Sequence, residues 1–480
     1  MPVYRTSRSI VAALLSVIVL GGALTAQNTT RGLAHTKFVL PNGLVAILNA
    51  DHSTPIVAYE VRYGIGSVDE RPGQTGFAHL CEHLMGLGSP NERQPQRLFL
   101  GGRGASWPIR EFGAAHTDWE FTQYVATFPP RQLETVLWME SDRMATPLSL
   151  ADSGFVAMRD LVRREREDRL AAAYAISREI VSNTIYPAGH PYHTPPLSPM
   201  TDLDRAQAED VRAFCTPYYV PNNAVIVLSG DFSPAEARGL IEKYFGPISR
   251  GRKLSRPAAP PVRLDTERRL VLEDRRAMIP GLRLAWPSVG FAHQDKMAIY
   301  ALAGVLSGDK WNMPRVGRLA RLLVSERQLA TSVHAELYDS ERAGEFVIEV
   351  TPRAGASLST IELLVDSTIA AIKGGAVSAA DLRAFANMNA VNAVAATQLR
   401  AMRADTLAQS ELFTTNPLAY AAQIDRGFTV TPAMVVAVAK KYLTPGRVVM
   451  SLVPAGKLDL ISRPDLPYTN ATPAAPARAR

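Results

Sequence analysis

The chain has 480 residues, 47% of them hydrophobic and 20% charged, with a net charge of +7. That length exceeds one compact core, so two or more domains are expected, and the composition supplies ample apolar material to fill them. Its 52 Lys and Arg are spread without a dense basic block, so the mild basicity reads as a solvated surface and carries no nucleic-acid function.

The N-terminus reads as an address. Arg5 and Arg8 precede an apolar run from Ile10 to Leu24, broken only by Ser16, Gly21 and Gly22, with Ala23 or Ala26 as small-residue exits. This is the pattern of a secretory signal over residues 1–26, and it predicts an exported chain, periplasmic or secreted. An uncleaved membrane anchor is the alternative, because the run is near the lower length for spanning. The two cysteines, Cys81 and Cys215, are too few for a disulfide framework. Export would allow them to pair, but Cys81 lies inside a helical pattern, and a buried free thiol is at least as strong an expectation.

Residues 27–36 form a polar lead. Phe38 to Leu48 reads as strand, turn, strand, with Asn42-Gly43 as the hairpin signal. Ile56 to Tyr63 is a third strand in which Val57, Tyr59 and Val61 alternate with Ala58, Glu60 and Arg62. Gly73 to Leu87 is helical, Gly101 to Phe112 is a glycine-rich loop, His116 to Phe128 is a strand and Pro130 to Met144 an amphipathic helix. A long helical stretch runs from Ser153 to about Asn183, followed by a Pro-rich loop holding His190 and His193. Asp202 to Tyr218 is helical, Asn223 to Gly230 a buried strand, and Ser233 caps a helix to Phe245.

A linker, 249–262, separates the unit 37–248 from a second, 263–456, in which the order repeats. Strands at Arg269–Leu272 and Leu282–Trp286 precede a helix, His293–Leu306, in the place of Gly73–Leu87. Gly344–Thr351 is a strand, Leu358–Lys373 a helix and Val448–Val453 a closing strand. Residues 457–480, rich in Pro and Ala, read as a disordered tail.

One pentapeptide carries chemistry: His79-Leu80-Cys81-Glu82-His83. On a helix, positions four apart share a face, so both imidazoles can bind one metal ion while Glu82 leans over the same face. A hydrolytic zinc site keeps three protein ligands and one open position. The third ligand must come from elsewhere, and Glu165, Glu167 and Asp168 on the long helix are the candidates. Two incidental surface histidines are the competing account of the motif, which by itself is only a hypothesis needing context.

At these residues the chain resembles the pitrilysin/insulinase metallopeptidase family, in particular bacterial two-domain members related to mitochondrial processing peptidase. The likeness extends to Pro41–Leu44, Tyr63–Ser67 with Asp69-Glu70, Thr75–Met85, Leu137–Met144, Arg159–Arg166, Tyr186–Tyr192 and Asn222–Gly230. In the second half it includes Leu323–Ala330 and Phe428–Thr431. It implies an α+β fold of two tandem duplicated α/β-roll domains, each a mostly antiparallel sheet covered by helices, with Zn2+ in the first copy. His79, His83 and Glu165 then bind zinc and Glu82 is the general base of an endopeptidase cutting short or unfolded peptides.

The resemblance also places a substrate-receiving strand edge at Ala115, His116 and Thr117, where the usual Asn is replaced. A supporting acid expected seven residues before the third ligand is Met158 here. The Arg and Tyr that grip substrate opposite the zinc fall on Val324 and Thr331. The implied arrangement is a heterodimer, with a homologous subunit supplying the Arg/Tyr pair. A zinc-retaining subunit that assembles or binds peptide without cutting it is the alternative.

Overall fold

The computed structural model describes residues 33–91, 114–149, 151–196, 201–256, 258–308 and 317–471. The signal at 1–26 and the loop at Gly101–Phe112 lie outside the described residues. Two six-stranded sheets organise the chain, in the orders β1-β2-β6-β3-β5-β4 and β12-β7-β11-β8-β10-β9. The first comprises β1 (Thr36–Val39), β2 (Val45–Ala50), β3 (Val57–Tyr63), β4 (Ala114–Thr117), β5 (Thr122–Phe128) and β6 (Ala224–Gly230). The second comprises β7 (Arg268–Asp274), β8 (Gly281–Val289), β9 (Ala330–Asp339), β10 (Ala343–Pro352), β11 (Val448–Pro454) and β12 (Thr469–Asn470).

The duplication is visible strand for strand. β2 runs parallel to β6, and β6, β3, β5 and β4 then alternate antiparallel. β7, β11, β8, β10 and β9 repeat that pattern. The fold is therefore α+β, with two α/β rolls of mostly antiparallel sheet. The copies differ at the outer strand. β1 reaches β2 through a turn at Asn42-Gly43, with Gly43 at φ +92° and the Asn42 side chain donating to the Phe245 and Ile248 carbonyls. β12 instead returns from the C-terminal end to pair parallel with β7.

That return corrects one expectation. Residues 457–471 are not a disordered tail: they form a helical turn at Leu458–Leu460 and then β12. Ile461 packs on Val271 and Val453, and Ser462 hydrogen-bonds to Ser451 and Glu362. Composition alone misjudged this segment because a few anchoring residues suffice to dock a Pro-rich chain on an open sheet edge.

The third strand expected at Ile56 to Tyr63 is β3, and every residue from Val57 to Tyr63 is buried. Val57, Tyr59 and Val61 enter the first core. The other face is covered by the helix Arg400–Thr414, which comes from the second half. There Arg62 donates to Glu60 (2.8 Å) and to Asp405 (2.5 Å), while Ile47, Val225 and Val227 pack on Ala404, Leu407 and Ala408. Among the described residues no helix is long and apolar enough to cross a membrane.

Candidate metal centre

The motif lies on the helix Phe77–Met85. Gly76 begins it at φ +87°, and a Cβ there would stand 2.8 Å from Leu203, so the entry turn requires glycine. The Glu70 carboxylate accepts the Gly76 and Ala78 N–H groups (3.1 and 2.9 Å), satisfying donors that a helix start leaves open. Phe77, Leu80, Cys81 and Leu84 turn into the core, where Phe77 meets the Phe214 ring edge-on. Cys81 and Cys215 form a disulfide with Cα atoms 6.0 Å apart, tying this helix to the helix Ala208–Cys215. The free-thiol expectation is thus overturned: Cys81 projects away from the face that carries the two histidines and toward its partner.

The opposite face carries His79 and His83, whose Nε2 atoms are 3.2 Å apart. The helix Ala151–Leu170 runs alongside, held by Phe155 and Val162 in the core and by Arg166, which pairs with Glu179 at 3.1 Å. It brings Glu165 Oε2 to 3.5 Å from His79 Nε2 and 3.2 Å from His83 Nε2. Of the three acids left open on that helix, Glu165 meets both imidazoles, while Glu167 and Asp168 are exposed. Met158, where a supporting acid was expected, packs against the core.

The three atoms form a triangle with edges of 3.2, 3.5 and 3.2 Å. A tetrahedral zinc with bonds of about 2.0–2.1 Å requires ligand atoms about 3.3–3.4 Å apart. The residues therefore fit the ion in donor type and spacing. His79 is buried, and burial, reinforced by the neighbouring His83, lowers its pKa from 6.5 to about 3, which keeps the imidazole neutral with a lone pair to offer.

Glu82 sits beside this triangle, with Oε2 3.9 Å from His79 Nε2. The Thr117 hydroxyl donates to that oxygen (2.6 Å) and lies 3.0 Å from Thr122 Oγ1, while the Tyr124 hydroxyl donates to the Glu82 carbonyl (3.2 Å). Burial raises the Glu82 pKa, and the Thr117 hydrogen bond opposes the rise. Sequence reasoning missed Tyr124 in this support, because nothing in a strand pattern marks which inward residue meets a distant helix.

The expected substrate strand is β4, which among the described residues lies at the edge of the first sheet and pairs only with β5. Ala115 and His116 are exposed, and His116 Nε2 lies 3.8 Å from Asp118. Thr117 is buried, and its hydroxyl donates to Glu82. His190 and His193 bind the Pro260 and Tyr186 carbonyls and fix their loop. In the second half, Val324 is buried and Thr331 donates to the Thr351 carbonyl, so neither position offers a cation or a phenol.

Comparison with known proteins agrees with this layout. The family model described as "Insulinase (Peptidase family M16)" matches residues 45–193, and "Peptidase M16 inactive domain" matches 205–388. The chain is similar to zinc protease PqqE of Helicobacter pylori, 24% identical over 76% of this chain and 80% of that protein. It is also similar to a probable mitochondrial-processing peptidase subunit beta of Schizosaccharomyces pombe, 23% identical over 61% and 64%. The crystal structure of a protease from Helicobacter pylori superimposes with a TM-score of 0.78 at 21% identity, covering 88% of this chain and 99% of that one. A peptidase M16 inactive domain from Pseudomonas fluorescens does so with 0.75 at 17% identity, covering 88% and 99%. With both halves matched in order and the fold shared, the chain belongs to the insulinase family of peptidases, family M16.

Proposed function

We propose that the chain is a zinc-dependent endopeptidase acting on short or unfolded peptides, with His79, His83 and Glu165 as ligands and Glu82 as general base. The observation that carries this reading is the triangle of Nε2, Nε2 and Oε2 atoms at tetrahedral-ligand spacing, with a second, buried carboxylate beside it. Zinc held there would lower the pKa of a water to about 7 and polarise the peptide carbonyl. Glu82 is placed to take the proton from that water and pass it to the leaving amine. Its raised pKa suits both halves of the transfer, and Thr117 fixes the direction of the carboxylate.

The open edge of β4 supports binding of an extended peptide as an added strand, with Ala115 and His116 at the contact. The missing Arg/Tyr pair supports a heterodimer in which a homologous subunit completes the chamber, as does the likeness to a protein named a processing-peptidase subunit. The N-terminal signal pattern and a fully buried disulfide support export to an oxidising compartment, periplasmic or extracellular.

Glu82→Gln tests the reading. Zinc content is expected to remain, while hydrolysis of a peptide library falls by about 10²–10⁴-fold. Undiminished turnover in the variant sinks it. Zinc binding without hydrolysis by the unaltered chain, alone and with a homologous subunit, assigns the non-cutting binding role instead.

A further inference from the structure

A cavity of about 490 Å³ opens beside the metal centre, running from His79 and β4 to the end of the helix Ala151–Leu170 and the start of the helix Ser177–Ile185. Three guanidinium groups line it: Arg166, Arg169 and Arg178. The two acids in the same wall are already engaged. Glu179 pairs with Arg166 at 3.1 Å, and Asp118 accepts the Trp119 N–H (2.8 Å) and faces His116. Arg178 lies over the Tyr338 ring of the second sheet at 4.2 Å, which fixes its plane. Among the described residues neither Arg169 nor Arg178 has a carboxylate within ion-pair distance.

We propose that Arg169 and Arg178 form a carboxylate-binding subsite that favours peptides carrying an acidic side chain or a free C-terminus near the bond to be cut. The proposal deepens the peptidase reading and rests on it. His116 and Thr117 of β4 line the same cavity, so a peptide paired to that edge passes along its wall. A guanidinium fork matches a carboxylate with two parallel hydrogen bonds, and a concave site strengthens the pairing over one in open water. Burial first, and then the like charges of Arg166 and Arg178, lower the Arg169 pKa, and the charges of Glu165 and Asp118 only partly oppose them. A substrate anion relieves that repulsion. Arg169 and Arg178, exposed to solvent as they are, both border the concavity that His79 lines.

The test uses the zinc-loaded full chain carrying Glu82→Gln, so that binding is measured without cleavage. Three matched peptides are compared: one with an internal Asp and an amidated end, one with Asn and an amidated end, and one with Asn and a free carboxyl end. One carboxylate form is expected to bind roughly tenfold tighter than the all-amide peptide, and which form does so identifies the source of the carboxylate. Adding Arg169→Gln and Arg178→Gln should abolish the difference without changing zinc content, and Arg178→Glu should invert it. Equal binding of all three peptides, or a preference that survives the double arginine change, overturns the subsite. Hydrolysis by the unaltered chain is scored separately. A binding preference without hydrolysis leaves the subsite standing while the peptidase reading falls.

Discussion

Replacing Cys81 and Cys215 together by alanine should destabilise the first half by several kcal/mol. The bridge closes a loop spanning a sequence separation of 134. In the chain-entropy account, cross-linking a loop of that length removes unfolded-state freedom worth about 5 kcal/mol at 25 °C, and native bridges commonly deliver about 2–5. Both cysteines are fully buried, so their removal leaves small voids that add a further ~1 kcal/mol to the loss. Set against a typical total of about 5–15 kcal/mol, this is a large fraction. The assay is urea unfolding of the metal-free protein, oxidised against doubly substituted, followed by circular dichroism. Thiol titration in denaturant without reductant should find no free thiol in the unaltered chain. Two titratable thiols, or unfolding curves that coincide within about 0.5 kcal/mol, would refute the reasoning.

Thr117→Val removes the 2.6 Å hydrogen bond that aims Glu82 and should lower kcat roughly tenfold with zinc content unchanged; an unaltered kcat would show that the carboxylate needs no such guide. Glu165→Gln should weaken zinc binding by at least about 100-fold in chelator competition, beyond what indirect partners of metal ligands command, and an unchanged affinity would place the third ligand elsewhere. Glu120 is buried where the β4–β5 turn meets the second half. It accepts from Tyr192 and from the Glu341 N–H, and burial pushes its pKa up to about 8. Because the folded value lies above the unfolded one, its contribution to stability is full below about pH 4.5 and is lost as pH rises through about 8. Glu120→Gln should therefore flatten the fall in stability over that window, measured by denaturant midpoints; an unaltered slope contradicts the assignment.

The helix bearing the two histidines was legible because its spacing is local: positions 79 and 83 are one turn apart whatever surrounds them. Glu165 was not fixed by pattern alone. Three acids lie within four positions, and only the packing of Phe155 and Val162 decides which one faces the imidazoles. β6 read clearly as a buried strand and β11 as a closing strand, both being nearly continuous apolar runs. β9 escaped notice because Ala330–Asp339 sits at a sheet edge with alternating exposure and polar residues throughout. The cysteine pair is a contact between residues far apart in sequence, and two isolated thiols carry no signal of distance. The cover over the polar residues of β3 is illegible for the same reason, because it arrives from Arg400–Thr414, about 340 residues away.

That helix has a wider consequence. The strip it covers on the first sheet is supplied from beyond residue 388, where the matched family regions end. Arg403 pairs with Asp51 at 2.7 Å, and Lys37 with Glu411 at 2.6 Å, fastening it at two further points. The halves are successive in the chain but interlocked in space. A nick at the connecting segment would leave them clasped together, and a fragment ending there would carry a raw, sticky back. The inherited repeat is thus a unit of ancestry without being a unit of assembly.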